Sequence, residues 1–273
     1  MSFANSQGHE IFYTVHGNNN KAIIMISGLA TTSDIWFNQI AEFAKEYKVI
    51  TIDNRGSGQS AKPDEPYTMD IFADDISAVM SAEDIAKAIF VGSSMGGMII
   101  QHFFHKYPEK VDALVLTGTG VGPGDKNFIL SAPEALDVIS REIPTDSDGL
   151  REYLNDLINC YFHKEFLQDN PQIIEQCIAM LTKNPQPEYA HKRQLEACFN
   201  DITFSAQLVG ISAPTLIIHG DSDKVWQLGN AVYLDGKIPD SRLEVLEKTA
   251  TYPFIERAKQ FNELVLGFIK DLS

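Results

Sequence analysis

The strongest chemical signal in the sequence is residues 92–97 (GSSMGG), which match the pattern G-x-S-x-G. The apolar segment 88–93 precedes this serine, and a segment with apolar residues at helical spacing, 96–107, follows it. A serine on a sharp turn from a strand into a helix stands at the helix N-terminus, where free N–H groups and the helix dipole favour developing negative charge. The pattern therefore predicts that Ser94 is a nucleophile.

The elements around this turn alternate between short apolar segments and amphipathic ones, which is typical of a parallel sheet with helices on both faces. Predicted strands are 2–6 and 9–16, which flank Gln7 and Gly8 as a hairpin, and then 21–27, 48–53, 88–93, 113–118, 214–220 and 242–247. Predicted helices of this part are 33–46, 68–81, 95–107 and 254–270. Right-handed crossovers would make the eight-stranded sheet mostly parallel, so the fold class is α/β.

The alternation stops after Gly124. Residues 125–208 show several helical segments, punctuated by prolines, and no convincing strand. The predicted helices here are 127–140, 147–162, 171–183 and 187–200. We therefore expect a core domain formed by residues 1–124 and 209–273, with a helical lobe, residues 125–208, inserted between two strands.

The composition excludes several classes of function. The 273 residues carry 37 acidic and 22 basic side chains, for a formal charge of −15, so nucleic acid and anionic membranes are disfavoured as partners. The N-terminus lacks the pattern of a signal peptide, and no apolar run approaches the roughly 20 residues of a membrane span, so a cytoplasmic location is expected. The three cysteines are widely spaced, and no motif indicates a metal or a cofactor.

Four stretches together resemble the α/β-hydrolase family, outside the helical segment. They are 27–29 (SGL), 53–60 (DNRGSGQS), 92–97 and 219–223 (HGDSD). The sequence looks most like the 3-oxoadipate enol-lactonases and the related esterases and meta-cleavage C–C hydrolases. The resemblance implies an α/β-hydrolase fold in which the helical insert is a cap that shapes an acyl-binding or ring-binding pocket.

The resemblance also implies roles for individual residues. Ser94 would be the nucleophile, and Asp223 would be the acid that orients a histidine. Asp221 is the competing acid, but the family's acid stands three residues after the strand-ending glycine, here Gly220. The oxyanion hole would consist of the backbone N–H groups of Leu29 and Met95.

The sequence departs from the family at the catalytic histidine, which the family places in a Gly-His-x-Pro stretch after the last strand. Here Ala250 and Thr251 occupy the glycine and histidine positions, while Pro253 and Glu256 align with the family pattern. A threonine hydroxyl is not deprotonated at neutral pH and cannot accept the serine proton as a general base. We therefore expect the hydrolytic cycle to be severely impaired.

Another histidine could replace the missing base. His219 lies at a buried strand end and is interpreted as structural, whereas His163 and His191 belong to the presumed cap and could hang over Ser94.

Two hypotheses follow. The first is a serine hydrolase for a small apolar carboxylic ester, lactone or related acyl compound, impaired by the threonine. The second is a non-catalytic protein that binds a small molecule in the capped pocket.

Overall fold

The computed structural model describes residues 2–144, 146–201 and 204–272 and contains one eight-stranded sheet. The strands are β1 (Ser2–Ser6), β2 (His9–His16), β3 (Ala22–Ile26), β4 (Lys48–Ile52), β5 (Ala88–Ser93), β6 (Val111–Thr117), β7 (Thr215–Gly220) and β8 (Ser241–Leu246). Their order in the sheet is β1-β2-β4-β3-β5-β6-β7-β8. Only the pairs that involve β2 are antiparallel, and all other neighbours are parallel. The predicted α/β fold class is therefore confirmed.

The central strands are buried along their whole length, as the absence of polar alternation predicts. All residues of β3 and β5 are buried, because elements cover both faces of these strands. At the antiparallel edge, β1 and β2 form the predicted hairpin, and its turn places Gln7 and Gly8 at positive φ angles of 53° and 89°. A glycine adopts such angles without steric cost, which explains the tight connection.

Eleven α-helices occur in the described residues. They are α1 (Ile40–Phe43), α2 (Met69–Ala82), α3 (Met95–Lys106), α4 (Pro133–Ile139), α5 (Ser147–Tyr161), α6 (Lys164–Asp169), α7 (Gln172–Lys183), α8 (Glu188–Phe199), α9 (Leu228–Asp235), α10 (Pro253–Glu256) and α11 (Ala258–Asp271). Helix α3 packs against β5 and against α2. The turn that carries Ser94 thus lies between β5 and α3, which are both largely buried.

Three predicted helices were wrong in extent. Residues 33–46 form a 3₁₀ turn at Ser33–Trp36 and the short α1, and residues 254–270 divide into α10 and α11. The helix predicted from residue 127 begins only at Pro133, because a proline fits the first turn of a helix better than its interior. Helices α6 and α9 were not predicted.

Helices α4 to α8 lie between β6 and β7, and we call them the helical insert. Within the described part of residues 125–208 there is no strand. The division at residues 124 and 209 into two domains stays a prediction. The three cysteines are buried and form no disulfide. No helix in the described ranges is both long enough and apolar enough to cross a membrane.

Candidate active site

Ser94 occupies a sharp turn between β5 and α3, as its spacing from Gly92 and Gly96 indicates. Its φ and ψ angles are 53° and −123°, which is a strained conformation for a residue with a side chain. A Cβ atom on Gly92 would lie 2.5 Å from the carbonyl oxygen of Gly96, and one on Gly96 would overlap the carbonyl oxygen of Ile26. The close approach of these backbones therefore requires glycine at both positions.

The loop after β3 lies against the same serine. A Cβ atom on Gly28 would lie 3.1 Å from Cβ and 3.5 Å from Oγ of Ser94. Leu29 follows in this loop and lines an apolar cavity, while Met95 begins α3 and is buried. The structure thus brings the loop that carries Leu29 against the turn that carries Ser94 and Met95.

Asp223 is the buried one of the two candidate acids. Its Oδ1 atom accepts hydrogen bonds from the Thr251 hydroxyl at 2.7 Å and from the amides of Val225 and Trp226, both at 2.9 Å. Asp221 is exposed, and its carboxylate accepts hydrogen bonds from its neighbour Ser222 and from the amide of Thr249. The geometry therefore brings Asp223, and not Asp221, to position 251.

Thr251 is fully buried in a tightly held loop. Its amide donates to the carbonyl of Tyr161 in the helical insert at 3.1 Å, and the amide of Ala250 donates to Oε1 of Glu256 at 2.7 Å. The second oxygen of Glu256 accepts the amide of His163 at 2.8 Å. Burial raises the pKa of Glu256 to about 7.

Trp226 is the neighbour of Ser94 that sequence reasoning missed. Its indole Nε1–H donates to Oγ of Ser94 at 3.0 Å, and no other hydrogen bond reaches this Oγ atom within the described ranges. The sequence carried no signal for this contact, because Ser94 and Trp226 lie 132 positions apart and only tertiary packing brings them together. The backbone amide of Trp226 also donates to Asp223. An indole can only donate, so it cannot accept the serine proton.

None of the candidate histidines contacts Ser94. His219 is fully buried, with Nε2 at 2.5 Å from the carbonyl oxygen of Trp226 and 3.3 Å from Oδ2 of Asp223. His163 immediately precedes α6 and caps it, since its Nδ1 accepts the amide of Glu165. His191 lies on α8, and burial lowers the pKa of its imidazole. In the described part of the chain, then, no imidazole is hydrogen-bonded to the serine hydroxyl.

A cavity of about 70 Å³ lies between the loop after β3, the helical insert and Tyr252. Since one water needs about 10–15 Å³, the cavity has room for a small organic group. None of its lining side chains is charged: Leu29, Ala30, Thr31, Thr32, Ile35, Leu157, Ile158, Tyr161, Phe162, Cys177, Met180, Leu181 and Tyr252. Burial raises the pKa of Cys177 to about 12 and raises those of Tyr161 and Tyr252 above the usual range, so these groups are neutral.

The described residues contain no group of three or more His, Cys, Asp or Glu side chains that could hold a metal ion.

Comparison with known proteins decides the family. Residues 21–258 match the family model described as the alpha/beta hydrolase fold. The chain belongs to the α/β-hydrolase family. The match spans the sheet from just before β3 to the beginning of α11, and it includes the turn at Ser94.

Named relatives within the family confirm the resemblance inferred from the four sequence stretches. The chain is 30% identical over 249 residues to 3-oxoadipate enol-lactonase 2 of Acinetobacter baylyi, which covers 91% of this chain and 88% of that protein. The esterase RhEst1 from Rhodococcus sp. ECU1013 superposes with a TM-score of 0.86 at 25% identity, over 100% of this chain and 99% of that one. A variant of the meta-cleavage product hydrolase CumD gives 0.82 at 25% identity, over 99% and 98%. These three relatives of the α/β-hydrolase are named as a lactonase, an esterase and a meta-cleavage product hydrolase.

Proposed function

We propose that the site is that of a serine hydrolase for small apolar esters, lactones or related acyl compounds, whose turnover is limited by the absence of a base at position 251. The observation that supports this proposal is the hydrogen bond of 2.7 Å from the Thr251 hydroxyl to Asp223. The threonine takes the place at the acid where a triad histidine would be oriented. The nucleophile and the acid are then present without the group that links them.

In the proposed cycle, Ser94 attacks the carbonyl carbon, and the developing oxyanion is stabilised by the amides of Leu29 and Met95. The helical insert acts as the cap and supplies much of the cavity wall. Among the described residues, a threonine hydroxyl and an indole N–H are ineffective bases, so the serine proton passes through solvent water to the departing alkoxide, which leaves as the alcohol. Water then cleaves the acyl-serine, which releases the carboxylic acid and restores Ser94. Oxyanion stabilisation and substrate positioning alone sustain about 10³- to 10⁴-fold acceleration over water in enzymes of this mechanism.

The uncharged lining of the cavity favours a substrate whose acyl group carries no charge. The relative 3-oxoadipate enol-lactonase 2 is named for an enol-lactone of 3-oxoadipate. The cavity of this chain offers no Lys, Arg or His in its lining, so a carboxylate would be buried there without a counter-charge. Neutral short-chain esters and lactones fit this lining better.

The test restores the missing base. Hydrolysis of p-nitrophenyl acetate and butyrate is measured for the chain, for Thr251→His and for the double variant Thr251→His with Ser94→Ala. We expect Thr251→His to raise kcat by about 10³-fold or more, because loss of the histidine from a complete triad costs about 10⁶-fold. The double variant should return to the low rate of the chain.

Two results would contradict the proposal. Rapid, Ser94-dependent turnover by the chain as it stands would mean that another base exists. Absence of any gain in a Thr251→His variant that melts at the temperature of the parent chain would mean that the site is not a disabled triad.

A ligand-binding protein is the second candidate, and the contact between Trp226 and Ser94 favours it. With the indole N–H at 3.0 Å from Oγ, the resting serine is a hydrogen-bonded acceptor rather than an activated nucleophile. Titration with γ-valerolactone or ethyl butyrate, followed by tryptophan fluorescence, tests this candidate. A saturable change that is lost in Trp226→Phe, where Trp36 is the remaining tryptophan, together with no gain from Thr251→His, would select the binding function.

A further inference from the structure

The side chain of Gln194 joins the helical insert to two loops beside the candidate active site. It extends from α8 and is fully buried. Its Oε1 atom accepts the amide of Ala30 at 3.1 Å and Nε2 of Gln186 at 3.0 Å. Its Nε2 atom donates to the carbonyl of Arg55 at 2.8 Å and to the Ser57 hydroxyl at 2.9 Å. All four hydrogen-bonding positions of this amide are therefore used.

The contact with Ala30 is made at a strained backbone position. Ala30 has a φ angle of 56°, which a residue with a Cβ atom adopts only when the surroundings hold it there. The Ala30 amide belongs to the peptide unit that follows Leu29. Gln194 therefore fixes one of the two peptide units that flank the α-carbon of Leu29.

Thr31 fixes the other peptide unit. The Gly28 carbonyl and the Leu29 N–H belong to the same planar group, and this carbonyl accepts the Thr31 hydroxyl at 2.9 Å and the Thr31 amide at 3.4 Å. Thr31 lies in the loop after β3, whereas Gln194 lies on α8 of the helical insert. The direction of the Leu29 N–H thus depends on contacts from both parts of the molecule.

We propose that Gln194 is a positioning residue, which holds the backbone at Leu29 and Ala30 so that the Leu29 amide faces the oxyanion formed at Ser94. This inference rests on the proposed function, since it assumes an oxyanion at Ser94. It means that the insert does more than enclose the cavity. The Leu29 amide is held in place only while α8 packs against the loop that follows β3.

The effects on kcat and KM distinguish a positioning role of Gln194 from a role in packing the insert around the cavity. A misdirected oxyanion donor weakens an interaction that forms in the transition state, so it lowers kcat and leaves KM nearly unchanged. An insert that merely packs less well around the cavity would raise KM. Removal of an oxyanion donor lowers kcat by about 10²- to 10³-fold, so we expect a fall of about 10- to 100-fold for misdirection.

The experiment compares variants in the Thr251→His background. Gln194→Met has a similar length and makes none of the four hydrogen bonds, while Gln194→Glu keeps acceptors for Ala30 and Gln186. The matched control is Tyr189→Phe, which removes another hydrogen bond between α8 and the core, from the Tyr189 hydroxyl to the Lys62 carbonyl at 2.9 Å. We expect the loss of kcat for Gln194→Met, a smaller loss for Gln194→Glu, and parental kcat for Tyr189→Phe.

A second readout does not depend on activity. Hydrogen exchange at the Ala30 amide, measured by NMR in the chain with Thr251, should accelerate at least tenfold in Gln194→Met and stay unchanged in Tyr189→Phe. If Gln194→Met does not fold, the shorter Gln194→Asn is judged by the same two measurements.

The two proposals fail in different ways. Absence of esterase activity in Thr251→His would remove the proposed function, and Ala30 exchange would still decide whether Gln194 holds this loop. Unchanged exchange at Ala30 in the Gln194 variant, a rise in KM alone, or an equal loss of kcat in Tyr189→Phe would overturn the role of Gln194.

Discussion

The turn at Ser94 and the loop around Thr251 are both tightly packed, but their side-chain hydroxyls make different contacts. Both are closely packed against neighbouring backbone: glycines at 92 and 96 allow the first, and a Cβ atom on Gly220 would overlap the carbonyls of Thr249 and Ala250 in the second. The turn presents its hydroxyl beside the loop after β3, whereas the loop presents a hydroxyl that donates to Asp223. The backbone at both positions of the candidate site is therefore held by close packing that does not depend on a histidine at position 251.

The largest expected effect tests whether Asp223 contributes to kcat only when a histidine stands at position 251. In the Thr251→His background, Asp223→Asn should lower kcat by about 10⁴-fold, because the histidine loses the carboxylate that orients it. In the chain with Thr251, the same substitution should change the low esterase rate by less than tenfold. The measurement is kcat for p-nitrophenyl butyrate in both backgrounds.

This strongly unequal response is the signature of residues that act as a unit. Asp221→Asn serves as the control, since Asp221 is exposed and does not contact Thr251. An equally large loss from Asp221→Asn would show that the wrong aspartate has been assigned.

The second effect concerns the backbone of the Ser94 turn. Gly96→Ala should lower the free energy of unfolding by about 3 kcal/mol, because its Cβ atom would overlap the backbone oxygens of Ile26, the last residue of β3, and of Ser27, which follows it. Gly267→Ala is the control, as no atom lies within 4 Å of its Cβ position and it lies inside α11. There alanine should stabilise by about 0.8–1 kcal/mol. Urea denaturation of both variants measures the contrast, and a neutral Gly96→Ala would mean that the turn is not tightly constrained.

The third effect is a pH dependence that belongs to the Thr251 loop. Glu256 has its pKa raised from 4.5 to about 7 by burial, so the folded chain keeps this proton while the unfolded chain releases it near pH 4.5. Between these values the folded state binds more protons. The free energy of unfolding should therefore fall as the pH rises from about 4.5 to about 7, by about 2 to 3 kcal/mol from this group.

Glu256→Gln should remove that part of the pH dependence, as followed by urea denaturation at a series of pH values. An amide cannot accept both the Ala250 and His163 amides, so this variant should also be less stable at pH 5. The exposed Glu263 provides the control, and Glu263→Gln should keep the slope of the parent chain. If Glu256→Gln and Glu263→Gln have the same slope, Glu256 titrates in its ordinary range.

Secondary structure was predicted correctly from the sequence where the local residue pattern and the packing in the folded protein favour the same element. Buried strands without polar alternation, such as β3 and β5, and the hairpin at Gln7 and Gly8 were predictable for that reason. The helical insert was less predictable, because its short helices depend on where prolines and neighbouring elements end them. The segment 127–140 illustrates this, since only Pro133–Ile139 is helical.

The same contrast holds for the candidate site. The position of Ser94 was predicted from a motif of fixed spacing, and those of Leu29, Met95, Asp223 and Thr251 from the resemblance to the α/β-hydrolase family. The contacts of Trp226 and Gln194 were not predicted, because each joins residues more than 100 positions apart in the chain, and neither has a local signature. Such partners are determined by tertiary packing alone.

The smallest effect isolates the hydrogen bond between Thr251 and Asp223. Thr251→Val keeps the shape of the side chain and removes the hydroxyl that donates to the Asp223 carboxylate. The expected loss of unfolding free energy is about 2 kcal/mol, because hydrogen bonds to charged groups contribute about 1.5–3 kcal/mol. Thr249→Val is the control on the same buried loop. The Thr249 hydroxyl donates to the neutral carbonyl of Glu247 at 2.9 Å and accepts only a long hydrogen bond, 3.4 Å, from Nε of the partly exposed Arg257, so a loss of about 1 kcal/mol is expected. Equal losses in urea denaturation would mean that Asp223 gains nothing from its charge at this contact, and position 251 would then hold threonine for its packing rather than for its hydroxyl.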